Sequence, residues 1–97
     1  MSKPAYTAVV LLVPGPLRNV CRGAAELRIP ATSVREALLS LERHHPDFHR
    51  CICDETGAVR RHINIFINNT HMRDCQGLET PLRPGDTLIV LPAVSDG

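Results

Sequence analysis

The residues with the clearest chemical potential lie in the segment "HPDFHRCICDE", residues 45–55. His49, Cys51 and Cys53 alternate, and alternate residues of an extended strand share one face, so three potential ligands could meet there. Imidazole and thiolate groups suit transition metals. The spacing, however, matches no common structural zinc pattern, and no fourth ligand is evident. We therefore interpret these as ordinary strand and loop residues and predict no metal site.

The remaining cysteines and histidines form no catalytic motif. The four cysteines have neither the pattern of a disulfide framework nor paired C-x-x-C spacing, so we expect thiols packed as small hydrophobes. A cysteine–histidine nucleophile pair is conceivable, because its members need not be close in sequence, but no local signature supports one. Glycine-rich phosphate loops, H-E-x-x-H and G-x-S-x-G are all missing from the sequence. The chain is predicted not to be an enzyme.

The sequence finishes with "TLIVLPAVSDG", a strand-like segment that runs almost directly into Gly97. A glycine carboxylate is unhindered, so an acyl-transfer enzyme can admit it to a narrow site. Formation of an acyl-adenylate would turn its poor leaving oxygen into a good one, and a sulfur or amine nucleophile could then take the acyl group. The alternative interpretation is a solvated chain end, since termini often have no fixed role.

Length and composition indicate one domain with an aliphatic core. The 97 residues are 43% hydrophobic, but only three are aromatic. A net charge of +1 argues against nucleic acid or a membrane surface as a partner. The first apolar run, residues 8–13, is too short for a membrane helix or a signal core, so we expect a cytoplasmic protein.

Periodicity predicts four strands, at residues 6–13, 23–29, 63–67 and 87–91, the first of them buried. The first two suggest an antiparallel hairpin with a long loop, and Pro92 is expected to end the last. The stretches "HRCIC" and "AVRRHINIFIN" flank a "DETG" turn, which we interpret as a hairpin or a long loop. Asn68 and Asn69 suit a tight turn.

One helix is predicted after Ser33, which stands three residues before Glu36 in capping-box spacing. Its apolar stripe is Val34, Ala37, Leu38 and Leu41, and Pro46 is expected to stop it. A single apolar stripe needs a single sheet to cover it. The predicted class is therefore α+β, a mixed sheet of four to five strands covered by one main helix.

The face of the sheet turned away from this helix is predicted to be partly apolar. Three isoleucines in 63–67 compete with Phe66 for the core and should win, because together they bury more apolar area. By the same reasoning Leu88 and Val90 point inward, which leaves Ile89 and Leu91 outside. If the two strands are neighbours, Phe66, Ile89 and Leu91 form an exposed patch typical of a protein interface. Scattered surface hydrophobics are the alternative.

The stretches "PATSVREALLSL", "VRRHINIFINN" and above all "TPLRPGDTLIVLPAV" ahead of Gly97 resemble the ubiquitin-like sulfur-carrier family. This family includes the molybdopterin synthase small subunit and the thiamin sulfur carrier. The resemblance implies a β-grasp domain over residues 1–92 and a flexible C-terminal tail over 93–97. It implies that Gly97 is adenylated by a ubiquitin-activating-like enzyme with ATP, converted to a thiocarboxylate, and used to deliver sulfur to a synthase subunit. No bound cofactor is expected.

The resemblance also implies roles for the residues around Gly97. Val94, Ser95 and Asp96 would thread into the partner. The partner interface would comprise Phe66, Ile89, Leu91 and Pro92. The family normally ends in two glycines, whereas Asp96 occupies the penultimate position here. The Asp96 carboxylate would lie near the ATP phosphates, and the repulsion between these like charges would cost about 1 kcal/mol in water and more in a drier site.

Three alternative functions are consistent with the family resemblance and with Asp96 before Gly97. A partner adapted to Asp96 would make the chain a working sulfur carrier. A chain that has left sulfur transfer would be a β-grasp binding module whose tail is not activated. The third is a small modifier joined to lysines through Gly97. The length and the "TPLRPGD" region are closer to molybdopterin-type or cysteine-type carriers than to the shorter thiamin carrier.

Overall fold

Five strands and two α-helices make up the part of the chain that the computed structural model describes, residues 8–92. The strands are β1 (Ala8–Leu12), β2 (Glu26–Pro30), β3 (Ile63–Ile67), β4 (Thr70–His71) and β5 (Thr87–Pro92), and the helices are α1 (Val34–His44) and α2 (Pro46–Ile52). Three short 3-10 helices lie in the connections, at Gly15–Cys21, Met72–Asp74 and Gly77–Glu79.

The strands form one mixed sheet in the order β2-β1-β5-β3-β4. Only the central β1–β5 pair is parallel; the β1–β2, β3–β5 and β3–β4 pairs are antiparallel. With α1 packed against one face, this arrangement is the β-grasp fold, which confirms the predicted class. The predicted hairpin of the first two strands is also confirmed, and its long connection contains the 3-10 helix Gly15–Cys21.

The start of α1 is fixed by side-chain capping, as the sequence predicted. The backbone N–H of Glu36 donates to Ser33 Oγ at 3.1 Å. In return, Glu36 Oε1 accepts from both the backbone N–H and the hydroxyl of Thr32, each at 2.8 Å, one residue before the position that a standard capping box uses. These two bonds hold the pKa of the Glu36 carboxyl below its ordinary value. All four residues of the predicted apolar stripe are buried.

The segment 46–52 is an α-helix, so the hairpin or long loop predicted to include "HRCIC" is wrong. Pro46 does end α1, but it also begins α2, because the first turn of a helix needs no N–H from its first residue. Helical residues two apart point in different directions, so His49 and Cys51 do not share a face as a strand would require. The "DETG" segment is a tight turn, closed by an antiparallel bridge between Cys53 and Val59.

Two predictions about the strands need correction. The first strand is buried on one face only: Val9 and Leu11 are inside, whereas Leu12 is 37% exposed. The last strand extends one residue beyond the predicted end, because Pro92 is its final residue and pairs with Ile63. β1 pairs with β5 only as far as Ile89, so no N–H is needed from residue 92 on that side.

The remaining assignments of core positions are confirmed. The three isoleucines of β3 are buried, as are Leu88 and Val90 of β5. Asn68 has the left-handed backbone (φ 57°) that the turn between β3 and β4 requires. Cys21 and Cys53 are buried thiols, as expected, while Cys51 is half-buried and Cys75 is exposed.

Candidate functional site: the outer sheet face and the end of β5

A row of neighbouring residues crosses the sheet on the face opposite α1. Leu12 pairs with Ile89, and Ile89 pairs with Phe66, so three apolar side chains from β1, β5 and β3 lie side by side. Glu26 continues the row on β2, and His71 continues it on β4. We call Leu12, Ile89 and Phe66 the apolar row. β3 and β5 are neighbours, as the predicted patch required, but Phe66 and Ile89 are half-buried rather than fully exposed.

Leu91 extends this surface toward the end of β5. Its side chain is 45% exposed and lies opposite Asn64 of β3. β1 pairs with β5 only as far as Ile89, so the last three residues of β5 have a strand neighbour on the β3 side alone. Leu91 and Pro92 therefore stand at the root of the C-terminal segment with one side open.

His71 closes the far end of the apolar row and has a defined orientation. Its ring meets Phe66 edge to face, with centroids 5.0 Å apart. The backbone N–H of Arg73 donates to His71 Nδ1 at 3.0 Å, so the ring proton sits on Nε2, which donates to Asn64 Oδ1 at 3.0 Å. These two bonds fix the ring against Phe66. His71 is thus part of this surface.

Sequence reasoning missed Leu12 and His71 as members of this surface. The signal for Leu12 was available, because Val9, Leu11 and Val13 alternate with Val10 and Leu12 in a period of two. The run was instead interpreted as buried on both faces. His71 gave no comparable signal, because its neighbour Phe66 is set by the β3–β4 register.

Four predicted site residues, Val94, Ser95, Asp96 and Gly97, lie outside the described residues. Of the four predicted interface residues, Phe66, Ile89 and Leu91 share the outer face of β3 and β5, whereas Pro92 alternates with Leu91 and lies on the other face, opposite Ile63. Among residues 8–92, no three His, Cys, Asp or Glu side chains are grouped as metal ligands would be. No helix in the same range is long and apolar enough to cross a membrane.

The buried thiols are poorly suited to nucleophilic chemistry. Burial raises the pKa of Cys53 to about 11, and the neighbouring Asp54 carboxylate adds to the effect. Burial also raises the pKa of Cys21, with a smaller contribution from Cys51. Because the thiolate is the reactive form, both groups are held in the unreactive state at neutral pH. Neither Cys21 nor Cys53 is therefore a candidate nucleophile.

Comparison with known proteins places this geometry in a family. The model of the ThiS family matches residues 11–97. Sulfur carrier protein CysO of Mycobacterium tuberculosis is 26% identical over 91 residues, which cover 92% of this chain and 98% of that protein.

Two solved structures share the fold and about a third of the sequence. The chain matches a structure of the Amycolatopsis orientalis BexX/CysO complex with a TM-score of 0.83 and 31% identity, over 93% of this chain and 100% of the other. It matches small archaeal modifier protein 1 (SAMP1) of Methanosarcina acetivorans with the same TM-score and identity, over 95% and 98%.

The fold and the exposed root of β5 define a ubiquitin-like carrier domain. The chain belongs to the ThiS family of sulfur carriers, since the family model covers most of its length. It is a carrier rather than an enzyme, as its relatives are. The resemblance found in the sequence is thereby confirmed.

Proposed function

We propose that Gly97 is the residue that carries sulfur. A ubiquitin-activating-like enzyme would bring ATP to its carboxylate, whose oxygen attacks the α-phosphate and releases pyrophosphate to leave an acyl-adenylate. A sulfur nucleophile would then displace AMP and leave a thiocarboxylate on Gly97. The thiocarboxylate sulfur would finally attack an acceptor held by a synthase subunit and displace a leaving group from it, and hydrolysis of the acyl–sulfur bond by water would return the chain as a carboxylate.

The observation that carries this proposal is the position of the end of β5. β5 is the central strand, and it passes the apolar row before it reaches the exposed Leu91. A protein that covers the apolar row would therefore also hold the root of the segment that ends in Gly97. The family match supports the assignment further, because it extends through Gly97.

The apolar row and Leu91 would form the docking surface for the activating enzyme, with Pro92 at its border. A few well-packed residues near the centre of an interface supply most of its binding energy. Val94, Ser95 and Asp96 would then occupy the channel that leads to the adenylation site. The structure of the BexX/CysO complex supports a partner of the sulfur-transfer kind, since there a CysO protein is bound to a second protein.

Cysteine biosynthesis is the acceptor pathway that we favour, because the chain matches a CysO sulfur carrier over 92% of its length. A molybdopterin-type acceptor is the alternative. Both pathways would use the same thiocarboxylate. The protein that binds the thiocarboxylate form of the chain would therefore determine which acceptor receives the sulfur.

Intact mass spectrometry tests the chemistry directly. The purified chain is incubated with ATP, a sulfide donor and the adenylating enzyme encoded in the same genome. We expect pyrophosphate release and the mass increase that replacement of one oxygen by sulfur gives, located on the peptide that contains Gly97. A variant that lacks Gly97 serves as the control and should gain no mass. An unchanged mass in the full chain, with no pyrophosphate, would contradict the proposal.

A second candidate function is supported by the similarity to SAMP1, which is described as a modifier protein. In that function an amine of a lysine, rather than a sulfur nucleophile, would displace AMP from the Gly97 acyl-adenylate to form an isopeptide bond. Digestion of the native proteome should then yield lysine peptides that carry the C-terminal remnant of this chain. If none are found while the thiocarboxylate forms, the carrier function alone stands.

A further inference from the structure

Asn64 places a polar side chain on the outer sheet face, between the apolar row and the end of β5. It precedes Phe66 by two residues on β3, so both side chains point to the same face. On β5 it lies directly opposite Leu91, the exposed residue at the root of the C-terminal segment. Directly opposed side chains stand about 5 Å apart. Asn64 is therefore half-buried beside apolar groups.

The orientation of the Asn64 amide is fixed by His71. Because His71 Nδ1 accepts from the backbone N–H of Arg73 at 3.0 Å, the ring carries its proton on Nε2. This Nε2–H group donates to Asn64 Oδ1 at 3.0 Å. An amide with its oxygen and nitrogen exchanged would set two donors against each other. His71 thus selects one of the two orientations of the amide.

The NH2 group of Asn64 is left pointing outward. An amide that turns its oxygen toward β4 turns its nitrogen away from β4, and β5 with Leu91 is the other neighbour of β3. Within residues 8–92 no acceptor is bonded to this nitrogen, and every buried side-chain polar atom there has a partner, so the nitrogen reaches solvent. The surface thus presents a hydrogen-bond donor of fixed direction beside Leu91.

A second asparagine, just past the other end of β3, is used differently by the fold. Asn68 accepts from the backbone N–H of Thr87 at 3.1 Å and donates to the Asp86 carboxylate at 3.2 Å, so both halves of its amide are bonded. Only the oxygen of the Asn64 amide is bonded within residues 8–92, although Asn64 is the more buried of the two. The fold therefore gives the NH2 group of Asn64 no internal partner.

A donor set among apolar side chains discriminates between partners. A purely apolar surface placed over Leu91 and the apolar row would leave this donor buried and unpaired, which is unfavourable, whereas a matched acceptor removes that cost. A site that pairs a polar group rejects a partner without that group more strongly than apolar contact alone can. Because His71 fixes the donor beforehand, binding needs no reorientation of the amide.

We propose that Asn64 is a specificity-determining residue for docking of the adenylating enzyme, and that its NH2 group donates to an oxygen acceptor of that enzyme beside Leu91. His71 is the positioning residue that keeps the NH2 group turned outward. The inference rests on the proposed function, because it concerns the same docking surface. It adds one polar requirement to a contact that is otherwise apolar.

Calorimetric titration of the adenylating enzyme from the same genome, without ATP, tests the role of Asn64. Asn64→Asp keeps the oxygen that His71 binds but replaces the outward NH2 group by a second oxygen, so Kd should rise at least about tenfold. Asn69→Asp is the matched control, because it puts the same charge at an exposed position in the turn of the same hairpin. It should change Kd by less than about twofold.

Steady-state kinetics separates this role from a general loss of structure. For Asn64→Asp the KM for the carrier should rise at least about tenfold, whereas kcat for pyrophosphate release should stay within about twofold, because only docking is weakened. Thermal unfolding of the variant should remain close to that of the unmodified chain. In NMR spectra, saturation with the enzyme should shift the side-chain amide signals of Asn64 and leave those of Asn69 in place.

Two substitutions of His71 isolate its bond to Asn64. Both His71→Gln and His71→Asn remove the ring that contacts Phe66, but only the longer glutamine side chain can place an NH2 group where Nε2 stood. The glutamine variant should therefore bind the enzyme at least about threefold more tightly than the asparagine variant. In an Asn64→Ala background the two variants should bind equally, because the group that His71 positions is gone.

The possible failures are distinguishable. An unchanged Kd for Asn64→Asp would overturn the role of Asn64, even where pyrophosphate release supports the carrier chemistry. A difference between the His71 variants that persists in the Asn64→Ala background would overturn the positioning role of His71. Binding without pyrophosphate release would contradict the carrier chemistry alone and leave the Asn64 comparison valid. If the unmodified chain does not bind the enzyme, the docking surface and this inference both fail.

Discussion

Phe66 and Ile89 lie directly opposite one another in the antiparallel β3–β5 pair, and both face away from α1. Leu12 lies on the other side of Ile89 in the parallel β1–β5 pair. Directly opposed side chains in a sheet stand about 5 Å apart, close enough to act as one surface. The apolar row is therefore continuous across the three central strands and leads to the exposed Leu91.

Substitution of Ile89 by lysine should block activation without unfolding the domain. A charge at the centre of the apolar row removes apolar contact with the partner, so kcat/KM for pyrophosphate release should fall at least about tenfold. Leu39→Lys, which puts the same charge on the opposite side, is the control and should leave this rate unchanged. Equal losses in the two variants, with unchanged thermal unfolding, would show that the apolar row is not the docking surface.

Asp96→Gly should improve activation by an enzyme that serves a carrier ending in two glycines. If Gly97 is adenylated as proposed, the substitution removes a negative charge from the region of the ATP phosphates, where like charges cost about 1 kcal/mol or more, so the rate should rise at least about fivefold. ATP–pyrophosphate exchange measures the effect, and Ser95→Gly controls for flexibility alone. If Asp96→Gly slows the reaction with that enzyme, the charge argument is wrong.

Phe48→Ala should destabilise the domain strongly, because α2 contributes to the main core. Phe48 is fully buried, and truncation of a buried phenylalanine costs about 3–5 kcal/mol of unfolding free energy. Urea unfolding followed by circular dichroism gives the value. Leu39→Ala, at an exposed position on α1, should stay within about 0.5 kcal/mol of the unmodified chain. A small effect at Phe48 would mean that α2 is not part of the cooperative unit.

Stability should decline at alkaline pH because of Cys53. Its pKa is raised to about 11 in the folded chain, whereas an unfolded thiol ionises near about 8.5. The contribution of the neutral Cys53 thiol to the free energy of unfolding is therefore complete below the pKa of the unfolded chain. It is lost as the pH rises through the pKa of the folded chain. Between pH 8 and pH 11 the unfolding free energy should fall by roughly 1–2 kcal/mol more in the unmodified chain than in Cys53→Ala, under reducing conditions. Parallel pH profiles for the two proteins would contradict this assignment.

Local sequence signals were sufficient wherever one residue or one period decided the structure. Ser33 and Glu36 marked the start of α1, and the alternating isoleucines of β3 set the buried face. They failed at Pro46, because proline can both end a helix and begin one, and only the packing of Phe48 and Ile52 into the core decided for α2.

Some features of the candidate site could likewise be predicted from the sequence, whereas others were decided only by the tertiary structure. The sequence by itself determined the family, the last strand with Leu88 and Val90 inward, and the Asp96-Gly97 ending, because these depend on residue type and local order. Tertiary structure alone decided that Leu12 and His71 join Phe66 and Ile89, since strand order and register are set by contacts between distant segments. Long-range packing of this kind leaves no periodic trace in any one segment.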